Sequence, residues 1–373
     1  MALNKYKLGQ LIVKSELKNS DLSFGSNFVR GISVNKTFSE TKADAENIDL
    51  TCFKIVKPGY FAFNTATSRN GEKISIAYNS GGKTIIVSSL YEVFCLNDLG
   101  KKVLNEWYLF MFFNRSEFDR YARADSWGSA REYFRFSNIC DVEIELPDKP
   151  IQDKFVDVYL AMMKNQKAYE KDLDRIKLVY DAFLDQLKHK NNLVPIGNYI
   201  EQINNKNLEN FPYHFAGLSM ENYFIDSIAD ANELDFSGYK IVKPNEYGAV
   251  LMKVGRDCRL TVARNTSNEC YLISPAYFTF KTHGINPDYF MANMNRREFE
   301  RRAWFSCDAS ARGSLSWDGF IELKIPFADE KEQKIVSELY QSQMLRKEIN
   351  DKLKNMLIRL CPLLIKGSIE EAR

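Results

Sequence analysis

The chain has 373 residues, enough for two or three domains with cores of their own. A 45% hydrophobic and 27% charged composition is that of an ordinary globular protein, and a net charge of +2 is too small to hold nucleic acid unaided over a long footprint. Seven scattered cysteines without a C-x-x-C pair, and three distant histidines, argue against a disulfide frame or a zinc site. The start lacks the apolar run of a signal peptide, and no segment approaches the roughly 20 apolar residues of a membrane span, so a soluble cytoplasmic protein is expected.

Along the chain the sequence says nearly the same thing twice. Gly31-Ile32-Ser33 returns as Gly217-Leu218-Ser219, Lys54 through Pro58 as Lys240 through Pro244, and Ser88 through Phe94 as Ser274 through Phe280, each 186 positions on. The offset then slips to 181, where Phe113 through Phe118 answers Met294 through Phe299 and Ala130-Arg131 answers Ala311-Arg312. A period near half the chain marks a tandem duplication of whole domains, and the slip marks a loop of different length.

Each copy begins with short β-type runs, Ile74 through Tyr78 and Thr84 through Val87 in the first, Leu260 through Ala263 and Tyr271 through Ile273 in the second. The turns between them are rich in Gly, Asn and Ser. A helical stretch follows, 105–123 and 286–302, then a strand-like run ending at Pro147 or Pro326. Beyond those prolines apolar residues recur at helical spacing: Phe155, Val158, Met162, Tyr169, Leu173, Ile176, Tyr180, Phe183 and Leu187, then Ile335, Leu339, Leu345, Ile349, Leu353, Met356 and Leu360. Both read as single long amphipathic helices with a narrow seam, the second stopping at Pro362.

A helix of that length would be roughly 50–60 Å long and needs a partner along it, for which the other copy is the obvious choice. The expected fold is therefore α+β: two mixed α/β lobes, each followed by a long helix, the helices pairing as an antiparallel coiled coil with pseudo-twofold symmetry. The boundaries are lobe 1–149, helix 150–190, lobe 191–327, helix 328–366 and tail 367–373. Phe155, Met162, Ile176, Phe183, Leu339, Ile349, Leu353 and Leu360 are expected to dock one helix on its partner.

The order lobe, helix, lobe, helix resembles the specificity subunit of type I restriction–modification enzymes. The residues that carry the likeness are Leu146-Pro147 through Gln152 and Val156, Ile325-Pro326 through Gln333 and Val336, and the Gly-Ser-Ala-Arg (128–131) and Ala-Ser-Ala-Arg (309–312) stretches. They look like the family's proline-to-glutamine signature at the start of its helices. The second copy is looser, with Phe327-Ala328-Asp329-Glu330 where proline and leucine are common.

The resemblance implies that each lobe is a target-recognition domain reading one half of a split double-stranded DNA target, with the helices fixing the gap. It also implies methyltransferase (modification) subunits docked on the helices and restriction/motor subunits completing the enzyme. S-adenosylmethionine would sit on the methyltransferase subunit and no cofactor on this chain. A type II system with a different partner, and a two-headed scaffold that binds proteins, remain open alternatives.

No catalytic constellation is legible. Asn286-Pro287-Asp288-Tyr289 superficially resembles an amine methyltransferase loop, but its third residue is Asp and no Gly-rich cofactor loop precedes it. The repeat aligns it with Asn105-Glu106-Trp107-Tyr108, so Asn286 reads as an N-cap with Pro287 at the first helical position. Phosphate loops are absent, and Glu143, Glu145, Asp148 and Lys149 read as solvated charge at a strand end. A non-catalytic subunit is expected.

If the lobes read DNA, residues shared by both copies should contact the backbone and residues that differ should read bases. The shared arginines are Arg115, Arg131, Arg296 and Arg312, candidate phosphate contacts. The repeat fails at three places, which become candidate base-reading loops. One sets Thr67, Ser68, Arg69 and Asn70 against Lys253, Arg256 and Arg259; the second sets Trp127 against Ser306 and Asp308; the third sets Asn35 and Lys36 against Asn222 and Tyr223.

Overall fold

The structure is a computed structural model that describes residues 3–40, 48–66, 73–126, 132–227, 235–252, 254–308 and 313–373, apart from the side chain of Arg256. In chain order the first half holds β1 (Asn4–Lys7), β2 (Ile12–Lys14), β3 (Arg30–Ile32), β4 (Phe38–Glu40), β5 (Lys54–Val56), β6 (Phe61–Asn64), β7 (Ile76–Tyr78), β8 (Ile85–Val87) and β9 (Tyr91–Leu96). Four short helices follow, α1 (Asp98–Val103), α2 (Glu106–Phe113), α3 (Ser116–Ala124) and α4 (Phe136–Asp141), then β10 (Glu143–Leu146) and the long α5 (Lys149–Lys190). The second half repeats the plan with β11 (Leu193–Pro195), β12 (Ile200–Ile203), β13 (His214–Leu218), β14 (Phe224–Asp226), β15 (Lys240–Val242) and β16 (Tyr247–Val250). It continues through α6 (Val254–Asp257), β17 (Thr261–Arg264), β18 (Tyr271–Ile273), β19 (Phe278–Thr282), α7 (Pro287–Met294), α8 (Arg297–Phe305), α9 (Trp317–Ile321) and β20 (Lys324–Pro326). The last element is the long α10 (Glu330–Ala372).

These elements form two compact units, one of Met1–Ala168 with Asn350–Arg373 and one of Tyr169–Ile349. Each unit thus takes its lobe together with a segment of both long helices, which the boundaries read from sequence divide differently. In unit 1 the main sheet runs β2-β9-β6-β7; in unit 2 the matching order is β12-β19-β16-β17. In both, the strand after the lobe returns to the strand before it, β1 with β10 and β11 with β20. The side-chain pairs repeat as well. Phe61 lies opposite Phe94 and stacks on it at 5.1 Å, and Tyr247 lies opposite Phe280 and stacks at 4.9 Å. Such cross-strand aromatic pairs are the unit of sheet stabilisation.

The single helix expected after each sheet is two helices, broken at Asn114-Arg115 and at Asn295-Arg296. Asn105 and Asn286 cap the first of each pair, each side-chain oxygen accepting from the backbone N–H groups two and three residues on. The signature glutamine explains itself here. Gln152 Oε1 accepts from Asn105 N at 2.9 Å while its amide donates to the carbonyls of Val103 and Pro147. Gln333 repeats this with Asn286 N at 2.8 Å and the carbonyl of Ala328. Each long helix is thereby fastened by one side chain to a helix cap in its lobe, that of α2 in unit 1 and of α7 in unit 2.

Within each unit the two long-helix segments run antiparallel. In unit 1 Lys154 pairs with Glu371 at 2.7 Å and Gln166 with Asn350 at 2.9 Å; in unit 2 Asp172 meets Arg346 at 3.3 Å and Lys190 meets Glu332 at 2.8 Å. The seam is one position off the apolar pattern in unit 1. Its buried α5 residues are Gln152, Val156, Tyr159 and Gln166, whereas Phe155 and Met162 are half-buried and Val158 is exposed. Ile176, Phe183 and Leu339 are half-buried against the unit 2 core, and Leu360 against that of unit 1. Ile349 and Leu353 are half-buried, while Ile335, Leu345 and Met356 are exposed. Polar residues share the seam with apolar ones: Gln166 bonds Asn350 in unit 1, a pair that apolar periodicity skips, and in unit 2 Tyr180 donates to Gln343 at 2.9 Å.

Pro362 does not end the last helix, and residues 367–372 are helical instead of a tail. An interior proline removes one backbone hydrogen bond and costs about 3 kcal/mol. Burial of Cys361, Leu364, Ile365, Ser368 and Ala372 against unit 1 outweighs that cost. Ser368 adds a 2.7 Å hydrogen bond with the buried Tyr108 hydroxyl.

Candidate nucleic-acid interface

In both units the same backbone hydrogen bond joins the residue that leads into one place where the repeat fails to a residue that follows another. Phe134 N donates to Thr65 O at 2.9 Å in unit 1, and Leu315 N donates to Leu251 O at 2.9 Å in unit 2. The loop before β7 is thus tied beside the loop after α3, and the loop before β17 beside the loop after α8. Ala66 and Tyr133 add an isolated bridge in unit 1. In unit 2 Gly255 N donates to Gly313 O at 2.7 Å, and a Cβ on Gly255 would stand 2.8 Å from the Gly313 Cα. Only glycine permits that approach.

Of the loop candidates, Thr67, Ser68, Arg69, Asn70, Trp127 and Lys253 lie outside the described residues, as do the phosphate candidates Arg131 and Arg312 and the side chain of Arg256. At these two places the described members are Arg259, Ser306 and Asp308. Arg259 is half-exposed and its guanidinium sits 3.1 Å from Glu300. Ser306 and Asp308 are exposed, and the Asp308 carboxylate accepts from Ser314 N at 3.1 Å.

The hairpin tips correct two expectations. Lys36 and Asn222 occupy equivalent left-handed positions, φ 60° and 64°, in the β3–β4 and β13–β14 turns. Their side chains point inward: Lys36 is 4% exposed and Asn222 8%. Lys36 Nζ donates to Asp119 Oδ1 at 2.7 Å and to the Phe113 carbonyl, and Asp119 also accepts from Ile74 N at 3.1 Å. Burial holds the Lys36 ammonium below its ordinary value, with Asp119 opposing that shift. Asn222 instead donates to Asn295 Oδ1 at 2.7 Å and accepts from Val262 N at 2.9 Å. Neither side chain reads a base; each fastens its hairpin to the lobe, because a buried polar group must keep its partners. Asn35 is exposed at the tip. Tyr223 is exposed too, with the Lys347 ammonium 4.7 Å from its ring centre.

Arg296 is the third correction. It is buried between carboxylates, 3.5 Å from Asp181, 3.4 Å from Glu298 and in close contact with Asp185, so it is a tether between α8 and α5 and no phosphate hand. Its counterpart Arg115 has a different setting. The guanidinium lies 3.9 Å from the Phe112 ring centre and Nε donates to the Phe112 carbonyl at 3.2 Å. Burial lowers its pKa, with Glu117 opposing. The helix register places Pro362 and Lys366 where unit 2 has Asp181 and Asp185, which removes the acidic partners.

Among the described residues no cluster of three His, Cys, Asp or Glu side chains could hold a metal ion, and no helix is long and apolar enough to cross a membrane. No protein-family model matches the chain. No curated protein matches it significantly in sequence. Among solved structures, the S subunit of a type I restriction–modification system from M. genitalium superposes with a TM-score of 0.55 at 12% identity, covering 97% of this chain and 96% of that one. The chain has the fold of that specificity subunit. An HsdS subunit from Thermoanaerobacter tengcongensis (12% identity, 98% and 96% covered) scores 0.38, and a chain from work on assembly of the type I R-M system (13%, 98% of each) scores 0.45.

Proposed function

We propose that this chain is the DNA specificity subunit of a type I restriction–modification complex, without catalysis of its own. One lobe reads each half of a bipartite double-stranded target. Methyltransferase subunits, carrying S-adenosylmethionine, dock on the long helices, and restriction/motor subunits complete the assembly in the cytoplasm. The observation that carries this reading is the whole-chain likeness in fold to a type I S subunit. Two further features support it. The lobes share one scaffold yet differ in the loops gathered by the Thr65–Phe134 and Leu251–Leu315 bonds, as two readers of unlike half-sites would. The long helices also leave Val158, Leu178, Val179, Ile335, Leu345 and Met356 exposed, apolar surface suited to protein partners.

The test is to co-express the chain with the methyltransferase subunit of its own locus and map methylated adenines across the genome. A split motif with two unlike halves and a fixed gap is expected. An assembled complex that leaves the genome unmethylated would refute the reading and favour a protein-binding scaffold. Cleavage and methylation through a single fused partner would place the chain in a type II system.

A further inference from the structure

One helix face of unit 2 has no counterpart in unit 1. On α8, Arg297, Arg301, Trp304 and Phe305 stand at i, i+4, i+7 and i+8, and so share one side of the helix. All four are exposed, Trp304 by 44% and Phe305 by 76%, with ring centres 5.2 Å apart. Among the described residues neither Arg297 nor Arg301 meets a carboxylate, although their neighbours Arg296, Arg302 and Arg259 all do. The opposite side of the helix holds the buried Phe299 and Ala303, and the buried Glu300 flanks the face. The equivalent face of α3 reads Ser116, Arg120, Arg123 and Ala124. There Arg120 lies 3.7 Å from Glu117 and Arg123 lies 3.7 Å from Glu132, so rings are lacking and the cations are paired.

The face adjoins the loops that break the repeat. The C-terminal end of α8 runs directly into Ser306-Cys307-Asp308, and Arg259 reaches Glu300 on the same helix. Scattered exposed apolar residues are ordinary, but adjacent Trp and Phe beside two unpaired arginines are a combination suited to nucleic acid. The unpaired cations select a polyanion, and flat rings at the end of a rigid element can enter a base step.

We propose that this face of α8 is a DNA wedge: Arg297 and Arg301 hold phosphates while Trp304 and Phe305 stack on bases of a partly unstacked step, in the half-site read by unit 2 only. The proposal rests on the specificity-subunit reading and assigns that reading an asymmetric mechanism. Unit 1, with Arg123-Ala124 at the same place, makes no such insertion.

The test uses the complex assembled with its methyltransferase subunit and a target duplex carrying 2-aminopurine in each half in turn, at positions other than the adenines that are methylated and flipped. Binding should raise the probe's fluorescence in the unit 2 half and leave the other half unchanged. The double variant W304A/F305A should bind at least about tenfold more weakly and lose that rise, with its salt dependence unchanged. R297A/R301A should flatten the dependence of log affinity on log salt by about two. All four side chains are exposed, so circular dichroism should show intact folds. Both double variants binding and unstacking as the parent does would overturn the wedge. Loss of assembly with the methyltransferase, at unchanged fold, would overturn it too, by assigning the face to a protein. A parent complex without DNA binding would overturn the specificity reading itself.

Discussion

Units 1 and 2 share a sheet order, an aromatic stack, a capping asparagine and a glutamine fastener, yet they fill one buried position with opposite chemistry. Behind the first hairpin, unit 1 buries a charged pair, Lys36 with Asp119; behind the matching hairpin, unit 2 buries the neutral amide Asn222 between Asn295 and Val262 N. The acid persists in unit 2 as Glu300, but a different cation, Arg259, answers it from the neighbouring loop. Duplication thus preserves the requirement that buried polar groups be satisfied, and leaves free which residues satisfy it. Where charge is exposed instead of buried, as on α3 and α8, the copies have diverged further.

The largest test of that contrast is Lys36→Met. It leaves Asp119 buried without its cation and should cost about 3–5 kcal/mol in chemical denaturation. Asn222→Ala should cost about 1–3 kcal/mol. Hydrogen exchange should place the first loss in β3, β4 and α3 and the second in β13, β14 and β17. Equal costs would contradict the account.

Next in size are the equivalent arginines. Arg296→Met leaves Asp181, Asp185 and Glu298 without the cation they share and should cost about 2–3 kcal/mol, whereas Arg115→Met loses a ring contact and one hydrogen bond, about 1 kcal/mol. The glutamines follow. Gln152 is fully buried with three bonds and Gln333 half-buried with two, so Gln152→Ala should cost about 2 kcal/mol and Gln333→Ala about 1 kcal/mol.

A smaller effect is one of pH. Burial lowers the Lys36 pKa in the folded protein, so the unfolded chain holds that proton more tightly. The penalty is present in full below the folded value and is relieved as pH climbs toward the ordinary 10.5. Stability should therefore rise through that alkaline window relative to Lys36→Met, and a difference that falls would contradict the sign. Lys347→Ala, which removes an exposed pair with Glu221, should change stability by at most about 1 kcal/mol.

Much of the fold was legible because the duplication supplied its own control. A pattern found twice, such as Asn105 and Asn286 before a helical run, reports structure more securely than either copy alone. The helical seam was less legible, since Gln166, Gln343 and Asn350 belong to it and apolar spacing cannot see them. Pro362 misled for a related reason: its local penalty is offset by tertiary burial that the sequence does not display. Lys36 and Asn222 read as exposed turn residues because their partners lie far along the chain, Asp119 at 83 positions and Asn295 at 73. The loop pairs were legible as breaks in the repeat, and their convergence followed only from the backbone bonds. Trp304 and Phe305 could have been found by the same criterion, applied to the helix face as it was to the loops.

The central claim is that each lobe reads its own half-site. Its most direct test replaces residues 191–327 with a second copy of residues 1–149, co-expresses the chain with its methyltransferase subunit and maps methylated adenines. Both halves of the motif should then carry the bases previously assigned to unit 1, with the gap unchanged. A motif that keeps its two original, unlike halves would contradict the account.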